Sequence, residues 1–146
     1  MTMRRNQAGF TLIELLVVIA IIGILAALIL AAFGSVQKGS RDTKRKSDLH
    51  QVGIALANYA ANHADRYPVR TGEVDVSDLT ELTSGGFISV FPDPPPGSAD
   101  AYTYVSDAVG NAYGACVRLE KDPSMMLKHT ESGLHTVAEG ACTPGN

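Results

Sequence analysis

From Leu15 to Phe33 the chain runs for 19 residues without one charged or strongly polar side chain. As a helix rising about 1.5 Å per residue, that run is roughly 28 Å long. A bilayer's hydrocarbon core is about 30 Å thick, so the run is long enough to cross it. A secretory signal would be cut at small residues after its apolar core, and Ala26-Ala27 and Ala31-Ala32 offer such sites. The run is nevertheless long for a signal, and a membrane span is the better reading. One carboxylate, Glu14, sits at its N-terminal end. Burying a carboxylate in an apolar span costs about 2–3 kcal/mol. Either Glu14 snorkels to the interface, or it meets a cation at its own depth.

The span limits what else the 146 residues can build. Removing it leaves about 110 residues, enough for one small domain. The formal charge is −3. Loss of the first nine residues takes away Arg4 and Arg5 and leaves 10 basic residues against 15 acidic ones, a charge of −5. That balance argues against nucleic acid as a partner. Cys116 and Cys142 are the only cysteines. In an exported domain such a pair reads as one disulfide, in a cytosolic one as two thiols, and the membrane segment favours export. The bridge would close a loop of about 26 residues and contribute roughly 3.5 kcal/mol.

Little in the chain suggests chemistry. His50, His63, His129 and His135 have no zinc-ligand spacing with a cysteine. There is no nucleophile elbow, P-loop or Gly-rich dinucleotide fingerprint. Asp93, Asp100 and Asp107 offer oxygens to calcium but lack EF-hand spacing. No enzyme activity, catalytic residue, metal or cofactor is predicted.

The stretch Gly9-Phe10-Thr11-Leu12-Ile13-Glu14-Leu15-Leu16-Val17-Val18-Ile19-Ala20 resembles the prepilin motif of type IV pilins and type II secretion pseudopilins. The resemblance is dense from Gly9 to about Pro68 and holds only in outline beyond. It implies a leader, residues 1–9, removed by a prepilin peptidase that cuts between Gly9 and Phe10 and N-methylates Phe10. It implies that Glu14 pairs with the N-terminal amine of a neighbouring subunit, which would supply the missing cation. It further implies a homo-oligomeric helical fibre, pilus or pseudopilus, built with the indirect help of an assembly ATPase and inner-membrane platform proteins. The expected location is the cytoplasmic membrane, crossed once, with the head outside. Glycine before the cut leaves a protease cleft unobstructed. Arg4 and Arg5 favour a cytoplasmic leader, whereas Lys38, Arg41, Lys44, Arg45 and Lys46 alone would invert the topology. The motif decides for the cytoplasmic leader. The rival reading is a monomeric membrane-anchored binding domain that never polymerises.

An α+β fold follows. Residues 10–34 form the membrane and assembly part of a long helix, with no proline in the span and Gly34 and Gly39 as its soft points. Residues 35–66 form its amphipathic half. There Leu49, Val52, Leu56 and Tyr59, flanked by Ala55 and Ala60, share one face, and the helix ends near His63 before Asp65-Arg66-Tyr67-Pro68. The basic cluster Lys38–Lys46 reads as a solvated face attracted to anionic headgroups. Residues 67–146 form the head. Asp75 or Ser77 caps a short helix carrying Leu79 and Leu82 and closed by Gly85-Gly86. Phe87–Phe91 reads as a strand, and Pro92–Gly97 as a stiff loop. Tyr102–Val105 and Ala112–Leu119 read as a hairpin turning at Gly110-Asn111. Lys121–Ser132 reads as irregular or briefly helical, and Leu134–Val137 as a weak last strand. An antiparallel sheet of three or four strands should pack on the helix stripe.

Overall fold

The computed structural model describes residues 10–97 and 100–145. The chain divides into two compact units, with the boundary between Gln37 and Lys38. Helix α1, Leu12–Asn62, contributes to both. In the first unit its apolar side chains are exposed, from Leu12 at 79% to Phe33 at 55%. No described residue of that unit covers them, and they call for an apolar environment.

In the second unit α1 has a buried side. Leu49, Val52, Ala55, Leu56 and Ala60 are buried and Tyr59 is half-buried. The helix stops where Ala64 and Asp65 turn to positive φ, at 55° and 56°. The Asp65 amide there donates back to the Ala60 carbonyl at 2.9 Å.

The sheet is a five-stranded antiparallel meander in chain order. Its strands are β1 (Val74–Asp75), β2 (Thr103–Ser106), β3 (Tyr113–Arg118), β4 (Met125–Thr130) and β5 (Gly133–Ala138). β2 and β3 form the expected hairpin. One face of the sheet packs on α1 through Tyr102, Tyr104, Tyr113, Ala115, Val117 and Leu127. The other face carries Val105, Cys116 and Met126 and is covered by the C-terminal tail through Cys142. The head thus has three layers: helix, sheet and tail.

Between β1 and β2, Asp75 caps a 3₁₀ turn (Val76–Asp78) by accepting from the Ser77 amide at 2.8 Å. Helix α2 (Thr80–Ser84) follows and puts Leu82 in the core. Gly110 has φ 74°, and a Cβ there would lie 2.5 Å from the Tyr67 carbonyl oxygen. That close approach lets the Tyr67 amide donate to the Gly110 carbonyl at 2.8 Å, which ties the end of α1 to the β2–β3 turn.

Three expectations are corrected. The sheet has five strands, not three or four. Phe87–Phe91 is not a strand, because the Phe87 and Ile88 amides both turn back onto the Leu82 carbonyl and close α2. Its aromatic residues pack singly against the core instead of alternating across a sheet. Lys121–Ser132, expected to be irregular or briefly helical, contains β4. Lys128 and His129 disguise that strand, since both are buried polar residues in the middle of the sheet.

Candidate assembly and docking sites

The N-terminal site begins at α1's first turn. Thr11 precedes the helix and Glu14 is its third residue, the arrangement of a capping box. The Glu14 Oε2 accepts from the Thr11 amide at 2.8 Å and from the Thr11 hydroxyl at 2.7 Å. The Glu14 amide donates to Thr11 Oγ1 at 3.2 Å. The carboxylate therefore satisfies free donors at its own helix terminus, which are among the groups a helix leaves unpaired. No cation meets Glu14 among the described residues, and both Thr11 bonds use Oε2. Phe10 is 85% exposed. Gly9 lies outside the described residues, as does the leader, residues 1–9. Thr11 is the participant that the sequence reading missed, although Thr-x-x-Glu at a helix start was the signal for it.

The basic cluster is two faces, not one solvated face. Arg45 is 1% exposed and points into the head. It donates to Asp42 Oδ1 at 2.6 Å and lies 3.4 Å from Glu120 Oε2. Arg41 reaches Glu120 through Nε at 2.6 Å and also through Nη2. The Asp42 carboxylate accepts from the Glu120 and Lys121 amides, each at 2.9 Å. These bonds fasten the β3–β4 loop onto α1. The Arg41 guanidinium holds the Glu120 carboxyl below its ordinary range, and the same hydrogen bond raises Arg41. Arginine suits this role because its planar fork meets a carboxylate through two donors. Further along, Tyr102 Oη donates to Asp48 Oδ2 at 2.5 Å. Burial, with that bond second, raises the phenol. Lys38, Lys44 and Lys46 keep exposed positions.

Where β4 passes under α1, Gly53 replaces a side chain with space. A Cβ there would sit 2.2 Å from His129 Cε1. The Tyr113 hydroxyl lies 2.8 Å from His129 Nδ1 and 3.0 Å from the Thr130 carbonyl oxygen, within hydrogen-bond reach of both. Burial lowers the His129 pKa, and His50 and His135 lower it further.

Cys116 on β3 and Cys142 in the tail are bonded, with Cα atoms 5.9 Å apart. The tail lies so close that a Cβ on Gly114 would be 2.3 Å from the Thr143 carbonyl oxygen. Lys128 Nζ donates to the Gly145 carbonyl at 2.6 Å and holds the tail's far end. A groove of about 520 Å³ opens beside α1, over Leu119 and Leu127, with Lys46 and Lys121 on its rim. Among the described residues no group of His, Cys, Asp or Glu is placed to hold a metal ion. Asp107 instead caps the β2–β3 turn by accepting from the Asn111 amide at 2.7 Å.

An exposed apolar helix of membrane-crossing length, continuous with a helix half docked on a small antiparallel sheet, defines a pilin-like subunit. Residues 4–30 match the model of the prokaryotic N-terminal methylation motif. The type II secretion system core protein G of Pseudomonas aeruginosa is 45% identical over 56 residues, which is 38% of this chain and 39% of that protein. The Aeromonas hydrophila protein of the same name is 31% identical over 103 residues, or 65% of this chain and 71% of that one. The type IV major pilin protein PilA of Myxococcus xanthus is 40% identical over 70 residues, covering 48% and 31%. No solved structure matches the chain significantly. The chain belongs to the family of type IV pilins and type II secretion pseudopilins.

Proposed function

We propose that the chain is a structural subunit of a type II secretion pseudopilus. It is made as a precursor, cut between Gly9 and Phe10, methylated at Phe10 and held in the membrane by residues 10–34. It then polymerises into a helical fibre, with the head, residues 67–146, outside the cytoplasmic membrane. The observation that carries this reading is the core protein G likeness, which reaches well beyond the N-terminal motif and into the head. The exposed run Leu12–Phe33 supports it physically, since an unpartnered apolar helix needs lipid or other helices around it. Lipid is itself apolar, so transfer from bilayer to fibre gains little from water exclusion. Packing and the pairing of Glu14 with a neighbour's amine then supply specificity. A prepilin peptidase, an assembly ATPase and platform proteins are the partners this reading requires.

Gly9→Val tests it. A side chain before the scissile bond should block maturation, so intact mass should show the full precursor and sheared fractions should hold no fibre. A processed N-terminus in Gly9→Val would refute the assigned cut. An uncleaved wild type that forms no fibre would favour the monomeric anchored domain.

A further inference from the structure

We infer that the Pro-rich loop of one subunit docks into the groove beside α1 of a second copy, with Val90 over Leu119 and Asp93 against Lys46 and Lys121. This rests on the polymerising reading above and assigns the head surfaces that meet.

The groove supplies one half of the contact. Its apolar patch is the partly buried Leu119 and its rim carries Lys46 and Lys121. The acids beside it are already engaged. Asp42 takes Arg45 and two backbone amides, and Asp122 takes the Ser124 amide and hydroxyl at 3.2 and 2.6 Å. Among the described residues neither lysine ammonium has a carboxylate partner. Among the described residues Asp122 bonds only neutral donors and keeps its charge, so the groove presents two cations, Lys46 and Lys121, against that one anion.

The loop supplies the complement. Val90 is 78% exposed, the most exposed large apolar side chain of the head among the described residues. Asp93 follows three residues later and is also exposed. Pro92, Pro94, Pro95 and Pro96 stiffen the loop, and Pro95 is buried as its root. Lys44 Nζ donates to the Asp93 carbonyl at 2.6 Å and fixes the tip against its own helix, while the Asp93 carboxylate forms no ion pair among the described residues. A pre-ordered tip loses little freedom on docking.

Helix geometry explains why the occupant is a second copy. Lys44, which touches the loop, and Lys46, which lines the groove, are two residues apart and so lie about 200° apart around α1. Loop and groove flank the helix on opposite sides, and no subunit can fill its own groove with its own tip. Two different patches that fit each other make a heterologous contact, which repeats without closing and suits a fibre. Charge follows the same division. Residues 38–60 carry five basic and two acidic side chains, whereas residues 61–110 carry two basic and eight acidic ones.

The test uses the full chain in fibre-forming cells. Asp93→Cys and Lys121→Cys are placed in one chain and treated with a short bismaleimide, to which the bonded Cys116–Cys142 pair is inert. The expected result is a ladder of multimers from the double variant and monomer alone from each single variant. Fibres without a ladder would overturn the docking and leave polymerisation standing. Dimers from Lys121→Cys alone would mean a symmetric contact and overturn it too. A wild type that is uncleaved and forms no fibre would remove both readings together. As a second measurement, Lys121→Glu should lower fibre yield about fivefold, and adding Asp93→Lys should restore it. Equal yields across the three chains would also sink the docking.

Discussion

The two ends of α1 show how one helix serves two solvents. Between Leu12 and Phe33 the large apolar side chains are all about half exposed or more, and only the first turn makes side-chain hydrogen bonds among the described residues. Between Lys38 and Asn62 one stripe is buried to 5% or less, and Arg41, Asp42, Arg45 and Asp48 bond to residues more than fifty positions away. Among the described residues nothing covers the first stretch, and it calls for lipid or other helices around it. The second is part of the head's core and depends on the sheet. Damage to the first should leave a folded head that does not assemble, and damage to the second should unfold the head.

Glu14→Ala should have the largest effect. On the proposed pairing, fibres disappear while the N-terminus is still processed and the head's thermal midpoint in detergent is unchanged. The capping box limits the local cost to about 1 kcal/mol at the helix end, too little to unfold the head. Normal fibres from Glu14→Ala would remove the pairing and leave Glu14 as a helix cap only.

The next largest effect sharpens the contrast directly. Leu56 is fully buried between α1 and the sheet, and Leu56→Ala should cost the head about 2–5 kcal/mol. Leu25 is 54% exposed in the other stretch, and Leu25→Ala should leave head stability within about 0.5 kcal/mol. Denaturant unfolding of both variants, followed by a probe on Tyr102 or Tyr113, compares them. Equal losses would mean that the two halves unfold as one unit.

What the sequence disclosed divides along the same line. The apolar run and the stripe Leu49, Val52 and Leu56 were legible because periodicity and length are local properties. The β2–β3 hairpin was legible because turn residues separate two β-rich runs. Arg45 was not. Its burial depends on Glu120, 75 residues away, and Asp42 alone gives no sign of which way the side chain points. β4 was missed for a related reason. Lys128 is accommodated where the disulfide-held tail brings the Gly145 carbonyl and the Thr143 hydroxyl to its ammonium, and His129 where Gly53 has no Cβ. Polar residues in a strand hide it until their partners are known. Of the N-terminal site, Glu14 stood out by cost, whereas Thr11 was missed although its capping spacing to Glu14 is also a local signal.

The smallest effect is a pH dependence that should appear in the docked half alone. His129 lies between Gly53 of α1, Tyr113 of β3 and Thr130 beside it on β4. His50 on α1 and His135 on β5 oppose its protonation, and burial opposes it most. A histidine whose folded pKa is lowered binds a proton more readily when unfolded. Stability is therefore unaffected well above the ordinary value near 6.5 and falls as pH drops through and below it. Glu120 acts in the same direction but in a lower window. Its carboxyl is held below the ordinary 4.5, so its contribution declines only as pH falls past that value. Unfolding midpoints between pH 7.5 and 5 consequently report the histidine before the carboxylate. The wild-type head should lose stability across that interval, and His129→Gln, which cannot be protonated, should lose less. A slope unchanged by His129→Gln would detach the effect from the helix–sheet contact at Gly53.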